Sequence, residues 1–218
     1  MDKQMIIDKI QEEKIIAIVR GLAKDKLIPT AEALYAGGIR LMEITYSDDP
    51  KVPDSITGDC IQALVAHFGD KMLIGAGTVL TCEQVRLTKA MGGTFIISPN
   101  ADSEVIKETC AQGLVSIPGA LTPTEAVAAT KDGADFVKLF PVCSLGTEYV
   151  KAIKAPLSNM KLLAVGGIDE NNIRDYMKSG VCGFGIGSNI IKKDLINDGN
   201  FAAITTLAEK YVAATKGN

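Results

Sequence analysis

Two residues interrupt apolar runs of this sequence with groups that are costly to bury. Lys138 lies in Asp135-Phe-Val-Lys-Leu-Phe-Pro-Val142, and Glu43 lies in Leu41-Met-Glu-Ile44. Taking a charge out of water without a partner costs several kcal/mol. Burial therefore favours the neutral forms, lowering the pKa of an amine and raising that of a carboxyl. A neutral lysine amine is a nucleophile for Schiff-base chemistry on a ketone, and an enclosed carboxyl suits proton transfer. Structural alternatives stand beside these: a strand-end lysine that reaches water along its alkyl stem, and a buried Lys–Glu ion pair.

The elements that must position these side chains follow a repeating plan. Short apolar runs occur at 15–19, 39–45, 72–76, 94–98, 114–117, 135–140, 161–165 and 183–187, each followed by an amphipathic stretch. Eight such units, spaced by roughly 20 to 33 residues, predict an α/β fold: a (β/α)8 TIM barrel with an extra N-terminal helix at 1–14. Near-continuous hydrophobicity within each run fits parallel strands covered on both faces. Helix starts are expected at Thr81, Thr122-Pro123 and Asp169, and a last helix at 201–216. No linker interrupts the pattern, so residues 1–218 are expected to form a single barrel domain. A doubly wound open sheet is the rival fold, but Val19-Arg20-Gly21 lacks the Gly-x-Gly-x-x-Gly turn that usually follows its first strand.

In such a barrel, chemistry collects at the carboxyl ends of the strands. The polar residues expected there are Arg20, Glu43, Thr45, Thr78, Lys138 and Ser188, and the glycine pairs Gly166-Gly167 and Gly185/Gly187 lie at the last two strand ends. Those glycine turns would offer backbone N–H groups to an anion such as phosphate, or would simply allow close packing. Arg20 is either a bidentate grip for a carboxylate or a surface cation. His67, the only histidine, falls in a helical stretch away from every strand end. No His/carboxylate cluster has ligand spacing, so neither a metal nor another cofactor is expected.

Composition excludes several classes of function. A net charge of −3, no basic run and 5% aromatic residues argue against a nucleic-acid partner. No apolar run is long enough to span a bilayer, and the start lacks a signal-peptide pattern. Five dispersed cysteines without a Cys-x-x-Cys pair fit free thiols in a reducing compartment, so a cytoplasmic location is expected.

Several motifs stand together in order: Glu43-Ile-Thr45, Gly75-Ala-Gly-Thr-Val-Leu80, Ile97-Ser-Pro99, Ile117-Pro-Gly119, Val137-Lys-Leu-Phe-Pro141 and Gly166-Gly-Ile168. With them the chain resembles, from about residue 15 to 189, the 2-keto-3-deoxy-6-phosphogluconate (KDPG) / 4-hydroxy-2-oxoglutarate (KHG) aldolase family. The resemblance implies a metal-free class I aldolase, usually a homotrimer. It would cleave a 2-keto-3-deoxy-6-phospho sugar acid, KDPG in the first instance, to pyruvate and glyceraldehyde 3-phosphate, with KHG as a further candidate substrate. It implies Lys138 as the Schiff-base lysine and Glu43 as the general acid/base. Thr78 would help hold the pyruvate carboxylate, Pro99 and Phe140 would line the pocket, and Gly166, Gly167 and Ser188, beside Gly187, would take the phosphate.

Two positions depart from the phosphogluconate pattern. Ser47 stands where many members place a carboxylate-binding arginine, and Val165 stands where threonine is common. Arg20 looks like a substitute grip, similar to that of 2-keto-3-deoxy-6-phosphogalactonate aldolases, which the chain also resembles at Ser98-Pro-Asn100 and Ser103-Glu-Val-Ile106. The C4-epimeric substrate is therefore the alternative. A phosphosugar epimerase or isomerase barrel, and a non-catalytic metabolite-binding barrel, are more distant rivals.

Overall fold

Residues 1–216 are described by a computed structural model; residues 217–218 of the expected unit lie outside the described residues. The chain runs α1 (Lys3–Glu13), β1 (Ile15–Val19), α2 (Lys24–Ala36), β2 (Leu41–Thr45), α3 (Asp54–Phe68), β3 (Leu73–Gly77), α4 (Cys82–Ala90), β4 (Phe95–Ile97) and α5 (Ser103–Ala111). It continues with β5 (Val115–Ile117), β6 (Gly119–Ala120), α6 (Pro123–Lys131), β7 (Val137–Leu139), α7 (Gly146–Lys154), β8 (Leu162–Val165), α8 (Ile173–Lys178), β9 (Gly183–Ile186), α9 (Lys193–Asn197) and α10 (Phe201–Thr215). Every strand pair is parallel, in the order β5-β4-β3-β2-β1-β9-β8-β7-β6.

Nine strands stand where the periodicity predicts eight, because the fifth run breaks at Pro118. Proline has no N–H to donate to a ladder. Before it, β5 pairs with β4; after it, β6 pairs with β7. Lys138 N still donates to the Pro118 carbonyl (2.8 Å), and the Asp135 and Phe136 amides donate to Ser116 O (3.0 and 3.2 Å). These bonds bridge the two ends of the sheet, so the broken run acts as one stave of an eight-stave barrel.

Alternation along the strands sorts the apolar residues into two cores. Ala17, Met42, Ile74, Ile96, Val137 and Leu162 point outward and pack under the surrounding helices. Ile16, Leu41, Leu73, Phe95, Val115, Phe136 and Leu163 point inward and fill the barrel near the amino ends of its strands. Helix α1 closes that end, burying Ile6, Ile7 and Ile10 in the inner cluster. Its first turn is capped by Asp2, whose carboxylate accepts from Met5 N. A Lys3–Asp135 ion pair (2.9 Å) ties it to the segment that enters β7. That pair is partly solvated and contributes at most ~1 kcal/mol, whereas each buried isoleucine contributes roughly 1.5–3 kcal/mol.

Local helix signals act as the sequence predicts. Thr81 accepts from Gln84 N, and Thr122 with Glu125 forms a reciprocal capping box. At Asp169 the carboxylate accepts from the Asn171 and Asn172 amides and the carbonyl accepts from Ile173 N, a capped turn that leads into the regular helix α8 from Ile173.

Candidate active site

Strands β2 and β7 lie four staves apart in either direction around the barrel, so they face each other. Glu43 is the middle residue of β2, paired with Ile18 and Gly75, and Lys138 is the middle residue of β7, paired with Gly119 and Leu163. Both side chains point inward one layer above the inner apolar cluster. They share one space, collared by Ile18, Ile97, Ile117, Leu163 and Val165.

Glu43 is 1% exposed and Lys138 is 7% exposed. The two groups do not touch: Lys138 Nζ and the Glu43 carboxylate make no contact within 4.0 Å. Glu43 Oε2 is the one buried side-chain oxygen or nitrogen among the described residues that has no hydrogen-bond partner. Buried polar atoms are normally paired, so an orphan here marks a group held ready for something else. The Lys138 ammonium position lies 4.8 Å from the centroid of the Phe140 ring.

Burial moves both groups toward neutrality. Desolvation pushes the Glu43 carboxyl up to about 7, against the opposing pull of Lys138 and then Arg20. Desolvation likewise lowers the Lys138 amine; nearby Glu43 works against this, and Arg20 adds to it. The outcome is an amine with enhanced access to its nucleophilic form, facing a carboxyl able to gain and lose a proton near neutral pH.

Gly77 makes room for this carboxyl. A Cβ at that position would collide with Glu43 Oε1, so any side chain there would displace the acid. The next residue, Thr78, has φ +55°, a left-handed conformation that is strained for a β-branched residue. That turn brings Thr78 Oγ1 to Arg20 Nη2, which donates to it at 3.0 Å. The grip expected from two separate strand ends is thus one hydrogen-bonded unit on the rim. Ser47 takes no part in it: its hydroxyl accepts from Asp49 N in the following turn (3.1 Å).

Across the mouth, Gly166, Gly167, Gly187 and Ser188 line a hollow of about 160 Å³ that Phe140 and Val165 also border. Gly167 has φ +74°, and a Cβ there would run into the side chain of Cys143. Among the described residues, the N–H groups of Gly167, Gly187 and Ser188 donate to no protein acceptor, which leaves them available to an anion.

Of the residues expected at the site, Glu43, Lys138, Phe140, Val165, the glycine turns and Ser188 line these two spaces and Arg20 with Thr78 forms the rim pair, whereas Thr45 and Pro99 line neither space. Pro99 is half-buried, with its carbonyl packed against Gly119. His67 is on α3, with Nε2 3.1 Å from a Glu32 carboxylate oxygen, and lines neither of these spaces. No group of three His, Cys, Asp or Glu side chains capable of holding a metal occurs among the described residues. Three features had no sequence signal: the Ile18 collar, the clearance at Gly77, and Lys192 and Lys193 beside Arg20. The collar is inferable only once barrel register is known.

Comparison with known proteins agrees with this geometry. The chain is 38% identical over 179 residues to the 2-dehydro-3-deoxy-6-phosphogalactonate aldolase of Escherichia coli, covering 82% of this chain and 84% of that protein. It is 32% identical to the 2-dehydro-3-deoxy-phosphogluconate aldolase of Haemophilus influenzae, over 98% of both. A crystal structure of KDPG aldolase from Legionella pneumophila, with pyruvate captured at low pH as a covalent carbinolamine intermediate, superposes with a TM-score of 0.83 at 28% identity. That match covers 96% of this chain and 97% of the Legionella chain. The family model for KDPG and KHG aldolases spans residues 6–207, nearly the whole barrel, and the chain belongs to that aldolase family.

Proposed function

We propose that Lys138 forms a Schiff base with the C2 ketone of a 2-keto-3-deoxy-6-phospho sugar acid, with Glu43 as its acid/base partner. The chain is a class I aldolase, an aldehyde-lyase that releases pyruvate and glyceraldehyde 3-phosphate from such a substrate, KDPG in the first instance. The observation that carries the assignment of residues is the opposition of a buried amine and a partnerless buried carboxyl across the barrel.

Neutral Lys138 adds to C2, and the carbinolamine loses water as Glu43 supplies a proton to the departing hydroxyl. The iminium that results accepts the electron pair of the C3–C4 bond. Glu43, now ionised, takes the C4 hydroxyl proton through a water as that bond breaks, and glyceraldehyde 3-phosphate leaves. The enamine left on Lys138 is protonated at C3, and hydrolysis of the iminium frees pyruvate and the amine. Arg20 and Thr78 hold the carboxylate, and the glycine turns hold the phosphate. Fixing both ends places the scissile bond between the two reactive groups.

Borohydride trapping in the presence of pyruvate tests the assignment. A stable adduct on Lys138, found by mass spectrometry and absent from Lys138→Met, is the expected result. An adduct on another lysine, or undiminished turnover by Lys138→Met, would overturn it. An epimerase or a metabolite-binding barrel would give no adduct at all.

A second substrate, the C4-epimeric phosphogalactonate, is favoured by specific residues. Val165 borders the mouth without a hydroxyl, and the carboxylate grip comes from Arg20 and Thr78 rather than from position 47. The ratio of kcat/KM for the two epimers, measured side by side, decides between them. The 1–218 chain is further proposed to act as one barrel domain, as a cytoplasmic homotrimer, in keeping with its free cysteines. Light scattering at three times the chain mass is the check on assembly.

A further inference from the structure

The barrel rim carries charge that the reaction described so far leaves unused. A cavity of about 510 Å³ opens between Arg20 and the turn after β9, with Lys192, Lys193 and Asp194 on its wall. It adjoins the hollow over the glycine turns, since Ile18, Gly187 and Ser188 border both. Neither lysine has a carboxylate within the 4.0 Å of an ion pair among the described residues, so Asp194 does not neutralise them at contact. Lys192 is half-buried against the cavity and Lys193 is exposed.

The hollow over the glycine turns offers only neutral donors, the backbone N–H groups and the Ser188 hydroxyl. A phosphate monoester at neutral pH carries a charge of about −1.5 to −2. Neutral donors orient such a group without balancing its charge, and Arg20 is already engaged with Thr78 on the carboxylate side. An ammonium on a flexible stem is well suited to this task as a mobile point charge.

We infer that Lys192, backed by Lys193, is the cationic partner of the substrate phosphate and sets the preference for phosphorylated over unphosphorylated aldehydes. The inference rests on the aldolase function just proposed. In a chain of net charge −3, the three cations around this cavity form a local positive edge that attracts a substrate anionic at both ends.

Condensation of pyruvate with D-glyceraldehyde 3-phosphate and with D-glyceraldehyde separates this role from others. Lys192→Ala should lower kcat/KM for the phosphorylated aldehyde about tenfold or more, while the value for glyceraldehyde and the KM for pyruvate stay within about twofold. Lys192→Arg should restore most of the loss, and Lys193→Ala should give a smaller loss that vanishes at high salt. Equal losses with both aldehydes, or none with either, would overturn the inference. Absence of a borohydride-trapped pyruvate adduct in the wild-type protein would instead remove the aldolase function itself, so the two failures are distinguishable.

Discussion

The floor and the mouth of this barrel are made by the same strands only a few residues apart, yet they are opposite in chemistry. Reading upward along inward-facing positions, β1 presents Ile16, Ile18 and then Arg20 beyond its end; β2 presents Leu41, Glu43 and Thr45; β7 is entered by Phe136, carries Lys138 and is followed by Phe140. The lowest layer is wholly apolar and is sealed by Ile6, Ile7 and Ile10 of α1. The layer above holds two ionisable groups that its apolar surroundings do not pair, and the rim holds the groups proposed to bind the anionic ends of the substrate. Stability invested below allows the layer above to hold side chains that a stability-optimised core would replace with apolar ones.

Substitutions in the two layers should therefore have separable effects. The largest is expected at Glu43: Glu43→Gln should cut kcat by 10²–10⁴ with little change in substrate binding, a rise in KM alone being the contrary result. Ile10→Ala, in the floor, should cost roughly 2–5 kcal/mol of folding stability through the cavity it leaves. Urea unfolding measures that loss, and the folded fraction should keep its kcat; a floor mutation that slowed chemistry in fully folded enzyme would break the separation. At the rim, Arg20→Ala should raise the KM for pyruvate about tenfold and affect glyceraldehyde 3-phosphate less. Equal weakening of both would remove Arg20 from the carboxylate end.

The smallest effect is a pH slope. The folded-state pKa of Glu43 lies above its ordinary value of 4.5, at about 7. Its neutral form is therefore the one the fold accommodates. The associated stability is complete below 4.5 and is lost as pH rises through 7, because the unfolded chain ionises first. The wild-type unfolding midpoint should fall relative to that of Glu43→Gln across this interval. A constant difference between the two proteins would mean that the mouth does not desolvate the carboxyl. Lys138 works in the other direction, its lowered pKa costing stability as pH falls through it.

Much of this was legible in the chain, for identifiable reasons. Thr81 and Thr122 cap their helices because capping is a contact within four residues, and the strand runs are visible because burial on both faces writes a continuous apolar signal. Lys138 and Glu43 stood out because each violates that signal. Pro118 was in plain view, but its consequence, a stave split between two partners, depends on what lies on either side of it. The Arg20–Thr78 bond joins residues 58 positions apart and relies on a left-handed turn at Thr78, so no local pattern announces it.

The sequence by itself determined the number of β/α units, the apolar layers and the identity of the two exceptional ionisable residues, since alternation and capping are short-range chemistry. Only the closed barrel decided that the amine and the carboxyl face one another without touching, that Gly77 clears space for the acid, and that two lysines edge the hollow over the glycine turns. Those relations depend on register and closure, which bring together atoms that the linear chain keeps tens of residues apart.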